Sequence, residues 1–547
     1  MKKCFLFLLL ITTLCAQAQI ASNIYWVQFT DKNGTPYSIN NPEAYLSQRA
    51  LDRRARLGIA IDEYDLPVNP EYLQAVAACG AELINPSKWL NGVSIYTTSS
   101  SVVEAVNALE FVSAVRDCPN DLKAQERKEQ WLAEEMRMTE MPRATYDGYY
   151  GGASNQANQI RADFLHGQGY RGEGMVIAVL DGGFQGAENH PAFDNMKQEG
   201  RLLGTRSFLR GQPSVYTQSS HGCSCLSTIG AFVPETMVGT APKASFYLIH
   251  TENGDYENII EEYNWVSGAE YADSLGVDVC STSLGYIDFD MSQWNHPFEH
   301  FDGHTAPMTI GAEIAASRGM LCVVAAGNEG DSYDGGCTLG IPSDAEHIIT
   351  VGAVDASGQR TWFSSVGPTY DGRIKPDVMA QGGGTYVAGY GTYYNGDGTS
   401  FATPVLAGAV TCLWQANPMA SVDEICEAVR QSANRASSPD KYYGYGIPNF
   451  EQAMLMLHVE DTSAPSNALI KVYPNPANGQ VHVELEEGYQ AEVAVYDLMG
   501  RRMKNYHFNG LNHTSLEAYL NQLSNGIYFI NAVSDRGSQT LKLVIEK

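Results

Sequence analysis

The stretch GMVIAVLD, from Gly174 to Asp181, decides the fold, because it is a continuous apolar run that ends in one carboxylate. Such a run, rich in Val, Ile and Leu, is typical of a strand that is buried on both faces of a sheet. Similar runs follow it, separated by helical stretches: ASFYLIH (244–250), VDVCSTSLG (277–285), MLCVVAAGN (320–328) and HIITVGAVD (347–355). This alternation predicts an α/β fold with a parallel sheet that carries helices on both faces.

Three residues of this region offer chemistry. Asp181 ends its strand, and the carboxyl ends of parallel strands are where such folds bind ligands. His221 precedes a predicted helix in SSHGCSCLSTIGA, and Ser400 lies between a glycine-rich turn and a helix in GDGTSFATPVLAGAV. A hydroxyl nucleophile needs a base, and the base needs a partner that fixes its tautomer. Serine, histidine and aspartate can supply these three roles.

The order of six short motifs carries a family resemblance. VIAVLDGG, SSHG, SLG (283–285), AAGN (325–328), KPDV (375–378) and GTSFATP together resemble the subtilisin-like serine proteases. Each motif alone is weak, whereas the ordered set is specific. There are two departures: Gly182 stands where the family usually has Thr or Ser, and GCSCLSTIGA follows the histidine in place of the common GTHVAG.

The resemblance implies a catalytic role for each motif. Ser400 would attack the scissile carbonyl, His221 would carry the proton, and Asp181 would orient the imidazole ring. The Asn328 side-chain amide and the Ser400 backbone N–H would form the oxyanion hole. Substrate would pair with one edge and fill a pocket, and the residues implied are Ser283, Leu284 and Gly285 at the edge, Ala325, Ala326 and Gly327 at the opposite wall, and Gly340 at the floor. A glycine at that floor suggests room for a large side chain.

The N-terminus predicts export. MKKCFLFLLLITTLCAQAQ has a basic start, a short apolar run and a small-residue cleavage site, which indicates a signal peptide over residues 1–18. A lipoprotein site at Cys15 is disfavoured, because Leu14 precedes it where a small residue is wanted. No later segment is long and apolar enough to cross a membrane. The net charge of -27 argues against nucleic-acid partners.

A small unit of strands and helices precedes the catalytic region. NIYWVQFTD (23–31) predicts a strand, and NPEAYLSQRALDRRARLG (41–58) and VVEAVNALEFV (102–112) predict helices. The unit resembles the propeptides of secreted subtilases, which assist folding and block the cleft as intramolecular inhibitors. We assign residues 19–147 to propeptide and activation linker, with the cut in the charged stretch between Asp121 and Asp147. A permanent accessory domain is the alternative.

The C-terminal region predicts a small β-sandwich. VHVELEE, AEVAVYDL, GIYFINAV and LKLVIEK alternate as half-buried strands do. Together with YPNP (473–476), YDLMGR (496–501) and the terminal lysine, they resemble the sorting domain of the type IX secretion system, whose machinery exports proteins across the outer membrane. The expected boundaries are 148–458 for the catalytic domain, 459–467 for a linker and 468–547 for the sorting domain. A carbohydrate-binding sandwich is the alternative.

Two places in the sequence carry residues that could bind a metal ion. His296, His300 and His304 are spaced by four, but Pro297 and Gly303 argue against the helix that would align them. On a helix that starts near His221, Cys225 lies on the side of the histidine and Cys223 lies on the opposite side, so the three are not arranged to bind one ion. The expectation is that no metal or cofactor is required. Structural calcium occurs in parts of the family, and no ligand set for it is identified here.

Taken together, the sequence predicts a secreted serine endopeptidase that cleaves proteins or peptides through an acyl-enzyme intermediate. A catalytically silent binding protein on the same fold, displayed at the cell surface, is the main alternative, and the intact set of Asp181, His221 and Ser400 weighs against it. A metallohydrolase that uses the cluster at His296 is a third reading. Cysteine pairing, oligomeric state and physiological substrate do not follow from the sequence.

Overall fold

The structure is a computed structural model, and it describes residues 23–118, 148–254, 256–330, 337–458 and, with short gaps, 470–545. The predicted signal peptide, the charged stretch from Asp121 to Asp147 with the predicted cut, and the linker at 459–467 therefore lie outside the described residues. The same holds for Pro474, Asn475 and Pro476 of the YPNP motif and for the terminal lysine. None of the described helices has the length and apolar character that a membrane span needs.

Seven parallel strands form the central sheet, as the alternating pattern predicts. In spatial order they are Val378–Gln381, Ile349–Val354, Leu321–Ala325, Val279–Thr282, Val176–Asp181, Ser245–His250 and Leu202–Ser207. All five apolar runs of the sequence are strands of this sheet. The last strand had no apolar run to mark it, because it lies at the edge and its side chains are partly or fully exposed.

Helices cover both faces of the sheet. They span Ser154–Gln159, Ala162–Gly167, Asp194–Gln198, His221–Gly230, Ile260–Ser274, Pro307–Ser317, Thr399–Ala416, Val422–Gln431 and Phe450–His458. Successive side chains of a strand point to opposite faces. Ile177 and Val179 accordingly belong to the apolar cluster of the helices His221–Gly230 and Thr399–Ala416, whereas Ala178 and Leu180 belong to that of the helix Ile260–Ser274.

Several short elements complete the catalytic region. Two antiparallel hairpins pair Thr385–Gly389 with Thr392–Gly396 and Phe232–Val233 with Met237–Val238. Single 3-10 turns lie at Pro191–Phe193, Ser292–Trp294 and Phe298–His300.

The N-terminal unit is a four-stranded antiparallel sheet with three helices. Its strands, in spatial order, are Glu82–Ser87, Gly92–Tyr96, Ile24–Phe29 and Val112–Asp117, and its helices are Gln48–Leu57, Pro70–Ala78 and Ser100–Asn107. The stretch predicted as one helix over 41–58 is divided into a 3-10 turn, Pro42–Ala44, and the first of these helices. The division falls at Ser47, whose side chain caps the helix by accepting a hydrogen bond from Ala50 N–H.

This N-terminal unit packs on the helix Ile260–Ser274 through buried charges. Asp273 is fully buried there and accepts hydrogen bonds from Arg53, Arg54 and Lys88. One turn away, Glu270 accepts the backbone N–H of Lys88 at 2.8 Å. Buried carboxylates are stable only when they are paired in this way, so the helix face matches the N-terminal unit in charge as well as in shape.

The C-terminal region is rich in strands, as predicted, and these form two antiparallel sheets. One sheet contains Ile470–Tyr473, His482–Leu485 and Thr514–Ser515, and the other contains Arg502–Asn509, Gln490–Asp497, Gly526–Ser534 and Gly537–Ile545. Side chains of both sheets, such as Val483 and Val495, share one apolar core.

Candidate active site

Asp181 and His221 lie in direct contact. Asp181 is the last residue of its strand and His221 is the first residue of the helix His221–Gly230. His221 Nδ1 is 2.8 Å from Asp181 Oδ1, which also accepts the backbone N–H of Gly182 at 2.8 Å. A Cβ on Gly222 would lie 2.9 Å from the Asp181 Cβ, so the glycine after the histidine is what allows the strand end and the helix start to approach so closely.

This contact sets the protonation behaviour of the histidine. Burial alone lowers the pKa of His221, but the Asp181 carboxylate outweighs it, so the pKa is raised well above the usual 6.5. Burial also raises the pKa of the neighbouring Cys225 thiol to about 11. That thiol is therefore neutral at physiological pH, and the aspartate is the anion that holds the imidazolium.

Ser400 lies at the start of a fully buried helix, Thr399–Ala416. Its carbonyl oxygen accepts hydrogen bonds from the Ser283 hydroxyl at 2.8 Å and from the Cys225 thiol at 3.3 Å. The next residue, Phe401, has its ring centre 5.9 Å from that of His221. The structure therefore brings the serine, the histidine helix and the predicted substrate edge to one place.

Asn328 follows the strand Leu321–Ala325 and turns its side chain towards the start of the serine helix. Its Oδ1 accepts both the backbone N–H and the hydroxyl of Thr399 at 2.9 Å. Since the carbonyl end of the amide is engaged there, the NH₂ end is the one turned towards other partners. This orientation suits a donor to an oxyanion beside Ser400.

The predicted pocket residues also lie together. Gly340 donates its N–H to the carbonyl of Ala326 at 3.0 Å, and a Cβ on Gly340 would lie 3.2 Å from the backbone of Gly285. Gly327 adopts a positive φ of 114°, in which a side chain would meet Ser365. Glycines at these positions allow the predicted edge and the opposite wall to approach each other. Whether the floor admits a large side chain stays a prediction.

The two cysteines after the histidine have different surroundings, as their helical spacing indicates. Cys225 Sγ lies 3.8 Å from His221 Nδ1, whereas Cys223 Sγ faces the carbonyl of Ala388 at 3.6 Å. Among the described residues, Asp181, His221 and Cys225 are the one group of three potential metal ligands with atoms within 4.8 Å of one another. The aspartate and histidine of that group already bind each other.

The second candidate metal cluster does not assemble as three ligands in the described structure. His296 Nδ1 lies 3.1 Å from His300 Nδ1, and His296 Nε2 lies 2.6 Å from Glu262. The backbone N–H of His304 instead binds Asp302. Pro297 begins an extended segment before a short 3-10 turn, so the helix that would align the three histidines does not form.

Sequence reasoning missed three residues of this site. The helical spacing placed Cys225 on the side of the histidine, but it did not predict that the thiol also contacts the serine carbonyl. Thr399 holds the asparagine, and Glu252 places its carboxylate over Gly182. The last contact had a signal in the sequence: a glycine stands after the aspartate where the family usually carries a hydroxyl residue.

Comparison with known families divides the chain into three matched regions. Residues 172–446 match the subtilase family, peptidase S8, and therefore cover half of the chain. Residues 24–133 match the peptidase S8 propeptide domain of Bacteroidota, and residues 471–546 match a secretion system C-terminal sorting domain. The class of protein that fold and site define is thus a subtilisin-like serine protease.

Individual relatives agree with this class. Subtilisin NAT of Bacillus subtilis subsp. natto is 33% identical over 302 residues, which are 54% of this chain and 70% of that protein. Subtilisin of Bacillus pumilus is 32% identical over 54% of this chain and 96% of its own length. Serine protease AprX of Bacillus subtilis (strain 168) is 29% identical over 55% of this chain and 71% of its own.

The chain belongs to the subtilase family and is a secreted serine endopeptidase with a propeptide domain and a type IX sorting domain. The sorting domain indicates export to the cell surface or the medium. Nothing in the comparisons favours the catalytically silent alternative.

Proposed function

We propose that Ser400, His221 and Asp181 are the nucleophile, the general base and the orienting carboxylate of this endopeptidase. The observation that carries the proposal is the 2.8 Å contact between His221 Nδ1 and Asp181, at a place where the Ser400 backbone is tied to the same helix through Cys225. All three side chains are buried, with exposed fractions of 0% for Asp181, 6% for His221 and 3% for Ser400. Rigid, dry surroundings favour a preorganised triad.

The steps follow from these positions. With Nδ1–H donated to Asp181, His221 Nε2 accepts the Ser400 hydroxyl proton as Oγ bonds to the scissile carbonyl carbon. The oxyanion accepts hydrogen bonds from the Asn328 amide and the Ser400 N–H. His221 then gives its proton to the leaving amine, the C–N bond breaks and an acyl-enzyme remains. Water repeats the sequence on the ester, releases the acid and restores the serine.

We propose that substrate binds in extended form against Ser283, Leu284 and Gly285. Its side chain before the cut would lie between Gly285 and the wall formed by Ala325, Ala326 and Gly327, with Gly340 beneath. The close backbone approach of Gly340 to Gly285 supports this arrangement, since it brings the proposed floor directly against the proposed substrate edge. Pairing through the backbone suits a protease that acts on many sequences.

The N-terminal unit is proposed to act as an inhibitor of its own protease domain until the linker is cut. Its support is the buried ionic contact of Arg53 and Arg54 with Asp273, which holds the unit firmly on the protease surface. The C-terminal region is proposed to be recognised by the type IX secretion machinery. The proposed steps of hydrolysis use groups of the chain alone, without a metal ion or cofactor.

A fluorophosphonate probe tests the assignment of the nucleophile. The full-length chain is expressed with its own export signals, and the secreted protein is labelled and mapped by mass spectrometry. We expect label on Ser400 and none in Ser400→Ala, with Ser317→Ala, at the end of the helix Pro307–Ser317, as the matched serine variant that keeps the label. Secreted, processed protein without label on Ser400 would contradict the proposal.

A further inference from the structure

A carboxylate lies beside the proposed triad and has no role in the steps above. Glu252 follows the strand Ser245–His250, whose last residue is the register partner of Asp181 in the central sheet. A Cβ on Gly182 would lie 3.1 Å from Glu252 Oε2. A side chain after the aspartate would crowd the carboxylate in this position, so the glycine at residue 182 and the placement of Glu252 fit each other.

The loop that carries Glu252 is held between the two segments of the triad. Thr251 N–H donates to the carbonyl of Asp181 at 3.3 Å. Asn253, which follows Glu252, accepts a hydrogen bond at 3.0 Å from the side chain of Gln218. Gln218 lies three positions before His221 in the chain. Glu252 itself is only 8% exposed. Its carboxylate is therefore fixed in place rather than free to move in solvent.

A buried hydroxyl lies on the segment of the predicted substrate edge. Tyr286 directly follows that edge, and it is 1% exposed. Within the described part of the chain its hydroxyl has no hydrogen-bond partner. Burial raises the pKa of this phenol, and the carboxylates of Glu261, Glu252 and Glu257 raise it further, so the surroundings of the edge are negatively charged. A carboxylate in such surroundings is an acceptor that suits an ammonium or guanidinium group.

The geometry of an extended substrate indicates which of its side chains would point towards Glu252. Side chains of an extended strand alternate between its two faces. If the residue before the cut enters the pocket beneath Gly285, the residue before that one points to the opposite face, towards His221 and Asp181. Glu252 lies on that face, over Gly182.

We propose that Glu252 is a specificity-determining residue that selects a lysine or arginine as the second residue before the cleaved bond. This inference rests on the proposed function of the cleft. A charge pair in partly buried surroundings discriminates strongly between a basic side chain and a neutral one of similar length. Glycine at 182 serves the same selection, because it gives the carboxylate its position.

The test uses the secreted, processed enzyme from the full-length chain and internally quenched peptides that differ only in this second residue. The second residue is arginine, methionine or glutamate. We expect kcat/KM for the arginine peptide to exceed that for the methionine peptide by about tenfold or more, and we expect the glutamate peptide to have the lowest value. Glu252→Gln should reduce the arginine-to-methionine ratio at least about fivefold, and Glu252→Lys should favour glutamate. Glu427→Gln removes an exposed carboxylate from a distant helix and should leave the ratio unchanged.

Each outcome separates the two proposals. A wild-type ratio near one, or a ratio that Glu252→Gln does not change, overturns the role of Glu252 while leaving the protease intact. No cleavage of any peptide, together with unlabelled Ser400, overturns the proposed function instead. If the variants fail to be secreted, the wild-type ratio is measured against salt, because an ionic preference falls as salt screens the pair. A preference that is insensitive to salt then contradicts the proposal.

Discussion

Asn328 Oδ1 accepts two hydrogen bonds from one residue, the backbone N–H and the hydroxyl of Thr399, each at 2.9 Å. The residue before the proposed nucleophile thereby fixes which end of the asparagine amide faces Ser400. An amide can rotate by half a turn at little steric cost, and its two ends differ in chemistry. The threonine removes that ambiguity.

Loss of the Asn328 amide donor should slow the chemical step without weakening substrate binding. We expect Asn328→Leu to lower kcat by about 10²–10³, a magnitude already known for one oxyanion-hole donor in subtilisin itself, with a small change in KM. Steady-state kinetics on a peptide amide measures both. An unchanged kcat would show that Asn328 does not stabilise the oxyanion.

Loss of the Thr399 hydroxyl, which orients the Asn328 amide, should lower kcat less than loss of the amide itself. A serine at this position should restore the activity. Thr399→Val keeps the backbone bond and loses the hydroxyl, so we expect kcat to fall by roughly tenfold, the value of about one hydrogen bond. Thr399→Ser restores the hydroxyl and should restore most of kcat. Equal loss in both variants would indicate a packing role for the methyl group instead.

The pH profile should report the raised pKa of His221. A general base works only when it is neutral, so activity falls as the pH drops through that pKa, which the Asp181 carboxylate holds well above 6.5. The acid limb of kcat/KM should therefore have its midpoint above pH 6.5. Asp181→Asn removes the cause and should lower the midpoint as well as kcat, the latter by about 10⁴. Cys225→Ala should lower the midpoint less than Asp181→Asn does, because Asp181 is the larger cause of the raised pKa.

Processing provides a test that needs no substrate. If the protease cuts its own activation linker, Ser400→Ala should accumulate as a proenzyme that retains the N-terminal unit, and wild-type protein should begin within or just after the stretch from Asp121 to Asp147. Mass spectrometry of both proteins gives the termini. A mature form of Ser400→Ala with the wild-type N-terminus would show that another protease makes the cut.

A buried ion cluster next to the strand Val378–Gln381 should contribute to the free energy of unfolding. Asp377 accepts hydrogen bonds from Lys375 at 2.7 Å and from Arg430 at 2.9 Å. Asp377→Asn leaves a buried lysine without its counter-ion and should cost about 3–5 kcal/mol of unfolding free energy. Thermal unfolding in a Ser400→Ala background, which avoids self-digestion, measures the loss. Asp371→Asn, at a partly exposed ion pair with Arg373, is the control and should change the unfolding temperature little.

The sequence by itself determined the sheet and the identity of the candidate triad. The apolar runs mark buried parallel strands because burial on both faces leaves no room for alternation, and the ordered motifs assign Asp181, His221 and Ser400. Local signals failed where a strand is half-exposed, as in Leu202–Ser207, and where a cap divides a periodic stretch, as at Ser47.

Only the tertiary structure decided which side chains surround the triad. The contacts of Cys225 with the Ser400 carbonyl, of Thr399 with Asn328 and of Glu252 with Gly182 join segments that are far apart in the chain. Such contacts depend on side-chain direction and close packing rather than on spacing in the chain. The same holds for Asp273, whose buried charge is stable because an N-terminal unit brings arginines to it across more than 200 residues. Pattern identifies the elements of such a site, and packing decides what each of them touches.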